Sequence, residues 1–313
     1  MAHRALRLLS TLLAFTCIAT SRGEASPVRP IPQITRVLLV SVDGLRPDLA
    51  LLANGPSMRA LMARGTYTLW AKTTALAVTL PSHTSMLTGV PPSKHGITWN
   101  SARPASEQVY PRWPTLFEIA REAGYTTAMA AGKPKFSTLA KPGTLTRSFV
   151  PSDSIPSDAA VTDTAIAWIR SLAPTVLFVH LPNVDLAGHS EGWGSSHQLA
   201  AIAEADRCVG RLLAALEARG ITDSTLVLLT ADHGGAGKSH GPDETRSLMI
   251  PWIVAGPGVR QGFDLTTEAD VSVRTEDTFA TLCYVLGITP PRPIEGHPVL
   301  AAFSEQHERR TQR

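Results

Sequence analysis

Three short apolar runs in this chain lead almost directly into an aspartate. Residues 37–42 run into Asp43, residues 175–181 are followed by Asp185, and residues 225–230 by Asp232 and His233. Runs of this length, rich in Val and Leu and lacking polar alternation, are typical of strands buried on both faces. Residues 125–131 and 250–255 read as further strands. Residues 57–64, 116–122, 158–172, 196–219 and 276–286 read as helices, and Gly65, Gly124, Gly220 and Gly287 stand where four of them end. Strands alternating with helices predict an α/β fold with a mostly parallel central sheet and helices on both faces. In such sheets, ligands gather beyond the carboxyl ends of the strands. A single aspartate there is commonly a turn or cap residue. Three at one edge, two with a histidine nearby, point to a metal site.

The rest of the chain is compatible with one such domain. Its 313 residues are 43% hydrophobic and 18% charged, enough to bury a sizeable core. Residues 1–25 have the pattern of an export signal: Arg4 and Arg7, an apolar stretch over residues 8–19, then small residues. Cys17 follows Thr16, a poor fit to a lipid-attachment site. Residues 26–313 are then the exported catalytic domain, periplasmic or extracellular, with a small cap-like insert expected at about residues 98–156. The formal charge of +3 owes much to the two ends, where Arg309, Arg310 and Arg313 join the leader arginines. No basic stripe argues for nucleic acid. Cys208 and Cys283 fall in helix-like apolar runs and read as buried free thiols.

The polar residues at the strand ends are of ligand type. Asp185 and His189 are four apart, one helical turn. Asp232 and His233 adjoin in a Gly-rich bend, and His240 follows seven residues after His233. Carboxylate with imidazole suits zinc best among divalent ions, with manganese or iron as alternatives. So many donors exceed one tetrahedral shell and fit two neighbouring ions. Structural zinc sites use mostly cysteine, so a cysteine-free set favours catalysis. Thr79 precedes Leu80 and Pro81, and Ser82 is expected to start a short helix. A hydroxyl at a helix N-terminus is either a helix cap or a nucleophile where the dipole favours anions.

Six segments occur in order: Val42-Asp-Gly-Leu-Arg46, Thr79-Leu-Pro-Ser-His83, His95-Gly-Ile-Thr-Trp-Asn100, Asp185-Leu-Ala-Gly-His189, Asp232-His-Gly-Gly235 and His240-Gly241. Together they resemble the type I phosphodiesterase/nucleotide pyrophosphatase branch of the alkaline-phosphatase superfamily, from about residue 36 to residue 300. The resemblance implies a two-metal phosphohydrolase acting on a small phosphoester such as a nucleotide. It implies one zinc ion held by Asp185, His189 and His240. It implies a second held by Asp43, Asp232 and His233, completed by Thr79. Thr79 is then the nucleophile, forming a phosphothreonine, while Asn100 and the Leu80 N–H hold a phosphoryl oxygen. Arg46 has no catalytic role in this reading. His83, His95 and His180 read as supporting residues, His197 and His307 as surface residues, and His297 competes with His240 for the last ligand position.

Two departures bear on the substrate. Ser82 stands where better-known relatives carry Asn, and His240 follows His233 without a long insert, as in compact bacterial relatives. Sulfatase chemistry is disfavoured, because residues 79–83 contain neither the Cys or Ser precursor nor the Arg of that motif. No arginine is placed to meet the extra charge of a monoester. Diester or pyrophosphate substrates are therefore expected, with phosphomonoesters as the alternative; Lys133 is the cation expected at the substrate, and Lys135 is another within reach.

Overall fold

The computed structural model describes residues 28–304. The expected leader over residues 1–25, His307 and the three C-terminal arginines lie outside these residues. Among the described residues eight strands form one sheet: β1 (Arg36–Val42), β2 (Thr66–Lys72), β3 (Thr127–Ala131), β4 (Arg147–Phe149), β5 (Val176–Leu181), β6 (Thr225–Thr230), β7 (Met249–Ala255) and β8 (Phe263–Asp264). Their order is β4-β3-β5-β1-β6-β7-β2-β8. Only β7 runs against its neighbours, pairing antiparallel with both β6 and β2. The sheet is therefore mostly parallel, as expected. β3, β5 and β6 are buried at every position, which explains their unbroken apolar sequences.

Ten α-helices follow in chain order among the described residues: α1 (Pro47–Leu52), α2 (Pro56–Ala63), α3 (Thr79–Thr88), α4 (Pro92–His95), α5 (Leu116–Glu122), α6 (Asp158–Ser171), α7 (Asn183–Glu191), α8 (Ser196–Ala218), α9 (Thr245–Leu248) and α10 (Thr275–Leu286). α8 packs on α2, α6 and α7, while α3 packs on α10 and α5, giving a helical layer on each face. The stretch 98–156 is not a separate cap. It is woven into the main fold, supplying α5 and the sheet strands β3 and β4. The helix expected from Ser82 begins three residues earlier, at Thr79. Pro81 therefore lies inside its first turn, where a missing N–H costs no intrahelical bond. Cys208 and Cys283 are buried free thiols, as read from the sequence.

One buried carboxylate ties two helices together. Asp158 in the first turn of α6 accepts the Asn183 N–H that opens α7, at 3.0 Å. Burial pushes its carboxyl up to about 7, with Glu204 and Asp43 adding to the rise against the Asn183 N–H. A carboxyl raised on folding binds its proton more tightly in the native state. Its contribution to stability therefore falls as pH rises from about 4 to about 7. Asp158→Asn keeps the acceptor oxygen and removes the charge. Its stability relative to wild type is expected to grow by about 1.4 kcal/mol per pH unit over that window. Urea unfolding of both proteins from pH 4.5 to 8 measures this; a difference that stays flat with pH refutes it.

Candidate active site

The carboxyl ends of β1, β5 and β6 deliver the acidic residues to one place. Asp43 follows β1 directly, Asp232 and His233 follow β6, and Asp185 sits in the first turn of α7 just beyond β5. Asp185, His189 and His240 place their donor atoms within 4.8 Å of one another, and so do Asp43, Asp185 and His233. Asp232 joins the second group through Oδ2, which is 3.2 Å from His233 Nε2. The two groups are contiguous, with Asp185 between them.

The ring nitrogens of the histidines show which atoms are free. His189 Nδ1 faces the Lys238 carbonyl at 3.0 Å, His240 Nδ1 the Ala77 carbonyl at 2.8 Å, and His233 Nδ1 the Gly234 carbonyl at 2.8 Å. A carbonyl only accepts, so each Nδ1 donates. Burial pushes His233 down to about 4 despite the charge of Asp43, and burial also lowers His240 although Asp185 opposes it. Burial holds the His233 and His240 rings neutral, so with Nδ1 donating, their Nε2 atoms carry bare lone pairs. His189 Nε2 and His240 Nε2 point at one another across 3.1 Å, with Asp185 Oδ1 at 3.4 and 3.6 Å. His233 Nε2 lies 3.5 Å from both Asp43 Oδ1 and Thr79 Oγ1.

Each carboxylate has one oxygen pinned by protein donors and one left bare. Asp43 Oδ2 accepts from His180 Nε2 at 2.8 Å and pairs with Lys133 Nζ at 2.6 Å. Asp185 Oδ2 pairs with the same ammonium at 2.6 Å. Asp232 Oδ1 accepts the Gly44 and His233 N–H groups, both at 3.0 Å. The opposite oxygens, Asp43 Oδ1, Asp185 Oδ1 and Asp232 Oδ2, are buried without a hydrogen-bond partner. They are the same oxygens that face the bare imidazole nitrogens. Buried acceptors facing acceptors are costly, and divalent cations are the species that satisfy such a donor set. Burial opposes ionisation of Asp43, but Lys133 and His180 outweigh it and hold its carboxyl well below the usual range. Asp232 is pushed above that range by burial and by the Asp43 charge.

Lys133 thus differs from its expected place. Its ammonium is taken up by two carboxylates, and it is Lys135 that faces Asn100, at 3.1 Å. Thr79 is buried at the first position of α3, and the next residue donates its N–H to Asn100 Oδ1 at 3.0 Å. His83 Nδ1 donates to the Thr79 carbonyl and its Nε2 accepts from Ser41 Oγ, both at 2.8 Å. His95 receives the Ile97 N–H at 3.1 Å, shaping the turn before Asn100. Ser82 is engaged with the Thr73 and Thr74 hydroxyls. Arg46 pairs with Asp48 and bonds the Gly235 carbonyl. His297 is held through its N–H by Asp277, and His197 is exposed.

Two residues escaped sequence reasoning. Ala77 adopts a left-handed φ of 46°, which aims its carbonyl at His240; for a non-glycine residue this costs about 1 kcal/mol. Trp193 is wedged among the ligand loops, edge-on to His189 and His240, and donates Nε1–H to the Gly44 carbonyl at 2.9 Å. A Cβ at Gly188 would lie 2.7 Å from its ring, and one at Gly235 2.3 Å. The glycines beside His189 and His233 were the available signal, since close approach of a large ring requires them.

The model of the family described as type I phosphodiesterase / nucleotide pyrophosphatase matches residues 37–247. The chain belongs to that family. Similar curated proteins include a 2,3-bisphosphoglycerate-independent phosphoglycerate mutase of Synechococcus elongatus, 33% identical over 146 residues, covering 44% of this chain and 26% of the mutase. Ectonucleotide pyrophosphatase/phosphodiesterase family member 3 of Mus musculus is 24% identical over 243 residues, covering 70% of this chain and 26% of its own length. The chain thus spans about a quarter of these relatives. Murine ectonucleotide pyrophosphatase/phosphodiesterase 5, solved in complex with AMP, superposes with a TM-score of 0.71 at 16% identity, covering 86% of this chain and all of that one. This likeness establishes the shared α/β fold.

Proposed function

We propose that this member of the family is an exported hydrolase of phosphoric ester bonds that uses two divalent cations, zinc by preference, and Thr79 as its nucleophile. The observation that supports this most is the pairing of bare carboxylate oxygens with bare imidazole nitrogens beside the Thr79 hydroxyl. Asp185, His189 and His240 would hold one cation; Asp43, Asp232 and His233, completed by Thr79, would hold the other. When bound, the cations supply Lewis acidity and positive charge against an anionic phosphoester. Lys133 and His180 keep Asp43 ionised and oriented, and Trp193 fixes the loops that carry His189 and His233.

Thr79 Oγ forms a bond to phosphorus as the bond from phosphorus to the leaving oxygen breaks. The hydroxyl proton passes to solvent, and the leaving group takes one up. Water then displaces Thr79 Oγ from phosphorus, releasing the phosphate product and restoring the hydroxyl. Two displacements give net retention at phosphorus. In this reading the N-terminus of α3 and Asn100 would receive the non-bridging oxygen that gathers charge, the Leu80 N–H holding Asn100 beside it. Family membership supports phosphodiester or pyrophosphate substrates, and the nucleotide relatives support a small nucleotide-like molecule. The test is hydrolysis of a chromogenic phosphodiester before and after chelation. Activity lost with chelator and restored by added zinc is the expected result; chelator-insensitive activity, or none on any phosphoester, would refute the proposal.

A further inference from the structure

A surface groove of about 540 Å³ lies between α1, β2 and α9, with Leu51, Leu69, Trp70 and Met249 as its apolar lining. Leu51 is 45% exposed and Trp70 65%, and Leu52, 67% exposed, ends α1 beside them. The local backbone explains the exposure of Trp70. β8 pairs only with Thr66 and Tyr67 of β2, and the register between β2 and β7 slips between Thr68 and Ala71. The Trp70 N–H is taken by the Thr68 hydroxyl at 3.1 Å. A bulge of this kind re-aims side chains and spoils the strand edge for pairing with another strand. What the groove offers a partner is therefore a side-chain surface, not a sheet edge.

Charge decides which partner fits. Arg46 pairs with Asp48, and Arg246 pairs with Glu244 at 2.9 Å. Each pair also senses the other. Bonds from Arg246 hold the Glu244 carboxyl down to about 2, with Arg46 adding to the effect, and Arg246 is raised by Glu244, with Asp48 adding. These four groups form a ring of alternating sign with no net charge. An anionic lipid surface calls for an excess of positive charge, and a charged peptide calls for an excess of the opposite sign. A ring of alternating sign instead complements a second copy of itself. In a two-fold pair the same patch meets itself, so an arginine of one copy can face a carboxylate of the other. An aromatic side chain among apolar neighbours, bordered by arginines and carboxylates, is also the make-up of a protein–protein interface. We propose that this groove is a self-association face, covered by the same groove of a second copy in a two-fold dimer with Trp70 as its anchor.

The test is sedimentation velocity on the full chain from about 1 to about 100 μM, where wild type is expected to pass from monomer to dimer. Trp70→Glu should weaken the dimer by at least about 30-fold, the effect of losing an aromatic anchor. Because Trp70 is largely exposed, the variant should keep its fold, which circular dichroism checks. A second set of variants leaves the apolar lining untouched. Asp48→Lys with Glu244→Lys makes the ring wholly positive, and Arg246→Glu makes it mostly negative. Each should remain monomeric alone, and an equimolar mixture of the two should form a heterodimer. Wild type that stays monomeric at about 100 μM would overturn the proposal. So would a dimer that Trp70→Glu leaves intact, or rim variants that fail to associate when mixed. Vesicles of phosphatidylcholine and phosphatidylglycerol test the competing occupant. A monomeric wild type that sediments with them, and loses this with Trp70→Glu, would assign the face to a lipid surface and overturn the dimer.

Discussion

Thr79→Ala is expected to abolish turnover, by about a thousandfold or more, in a protein that still folds and binds cations. The expectation comes from what the hydroxyl does not do. Its one side-chain contact within hydrogen-bonding range is His233 Nε2 at 3.5 Å, the outer limit for such a bond. It caps no backbone group of α3, whose N-terminus lacks a side-chain cap. Removing it therefore strips little from the folded state, and the stability change should stay within about 1 kcal/mol. The six Asp and His ligands remain, so zinc content measured on the purified variant should match wild type to within the share that the hydroxyl contributes. Thr79→Ser retains a hydroxyl and should keep a measurable part of the rate. Wild-type-like turnover by Thr79→Ala would remove Thr79 from the mechanism, whatever its effect on stability.

The residues around Thr79 also show which kinds of structure a sequence reveals. β1, β5 and β6 were legible because burial on both faces demands continuous apolar sequence, and their ends fixed where Asp43, Asp185 and Asp232 emerge. β2 was not legible. It alternates buried with partly exposed residues and leaves Trp70 65% exposed, with the two-residue β8 as its neighbour at the sheet edge. Its run lies between Gly65 and a polar loop and is weak as a strand signal on its own. The direction of β7 was equally hidden, since periodicity does not encode whether a strand runs with or against the next. The start of α3 was placed at Ser82, after Pro81, whereas the first turn of a helix tolerates a proline at its third position. Within the site, the candidate ligands were legible from residue type and from their place at strand ends, and the structure brings them together. The roles of Lys133 and Lys135 did not: two residues apart in one loop, they face two carboxylates and one amide, and only long-range packing separates them.

Asp232→Asn is expected to change stability in opposite directions with and without cations. In chelator, Asp232 Oδ2 is a buried acceptor 3.2 Å from another acceptor, His233 Nε2, in a site that also holds Asp43. An asparagine keeps Oδ1 for the Gly44 and His233 N–H groups and turns an N–H toward the imidazole. At a pH high enough to ionise Asp232, whose carboxyl burial and the Asp43 charge raise, a repulsive contact becomes a hydrogen bond, and the melting temperature of the metal-free protein should rise. With zinc, the same change removes an anionic ligand. Wild type should gain about 4 kcal/mol for each cation at a zinc concentration a thousandfold above that site's Kd, roughly 10 °C apiece for a domain of this size. The variant should lose most of the part that comes from the second cation. His240→Ala should lose the gain that comes from the first, while His297→Ala should lose neither, because the His297 imidazole belongs to neither ligand group and the bond to Asp277 is made by its backbone N–H. Scanning calorimetry of the four proteins in chelator and in zinc measures all of this. If wild type melts at the same temperature in both, the bare oxygens do not hold cations. If Asp232→Asn melts lower than wild type in chelator, Oδ2 already has a partner, and the pairing of bare acceptors beside Thr79 loses its force.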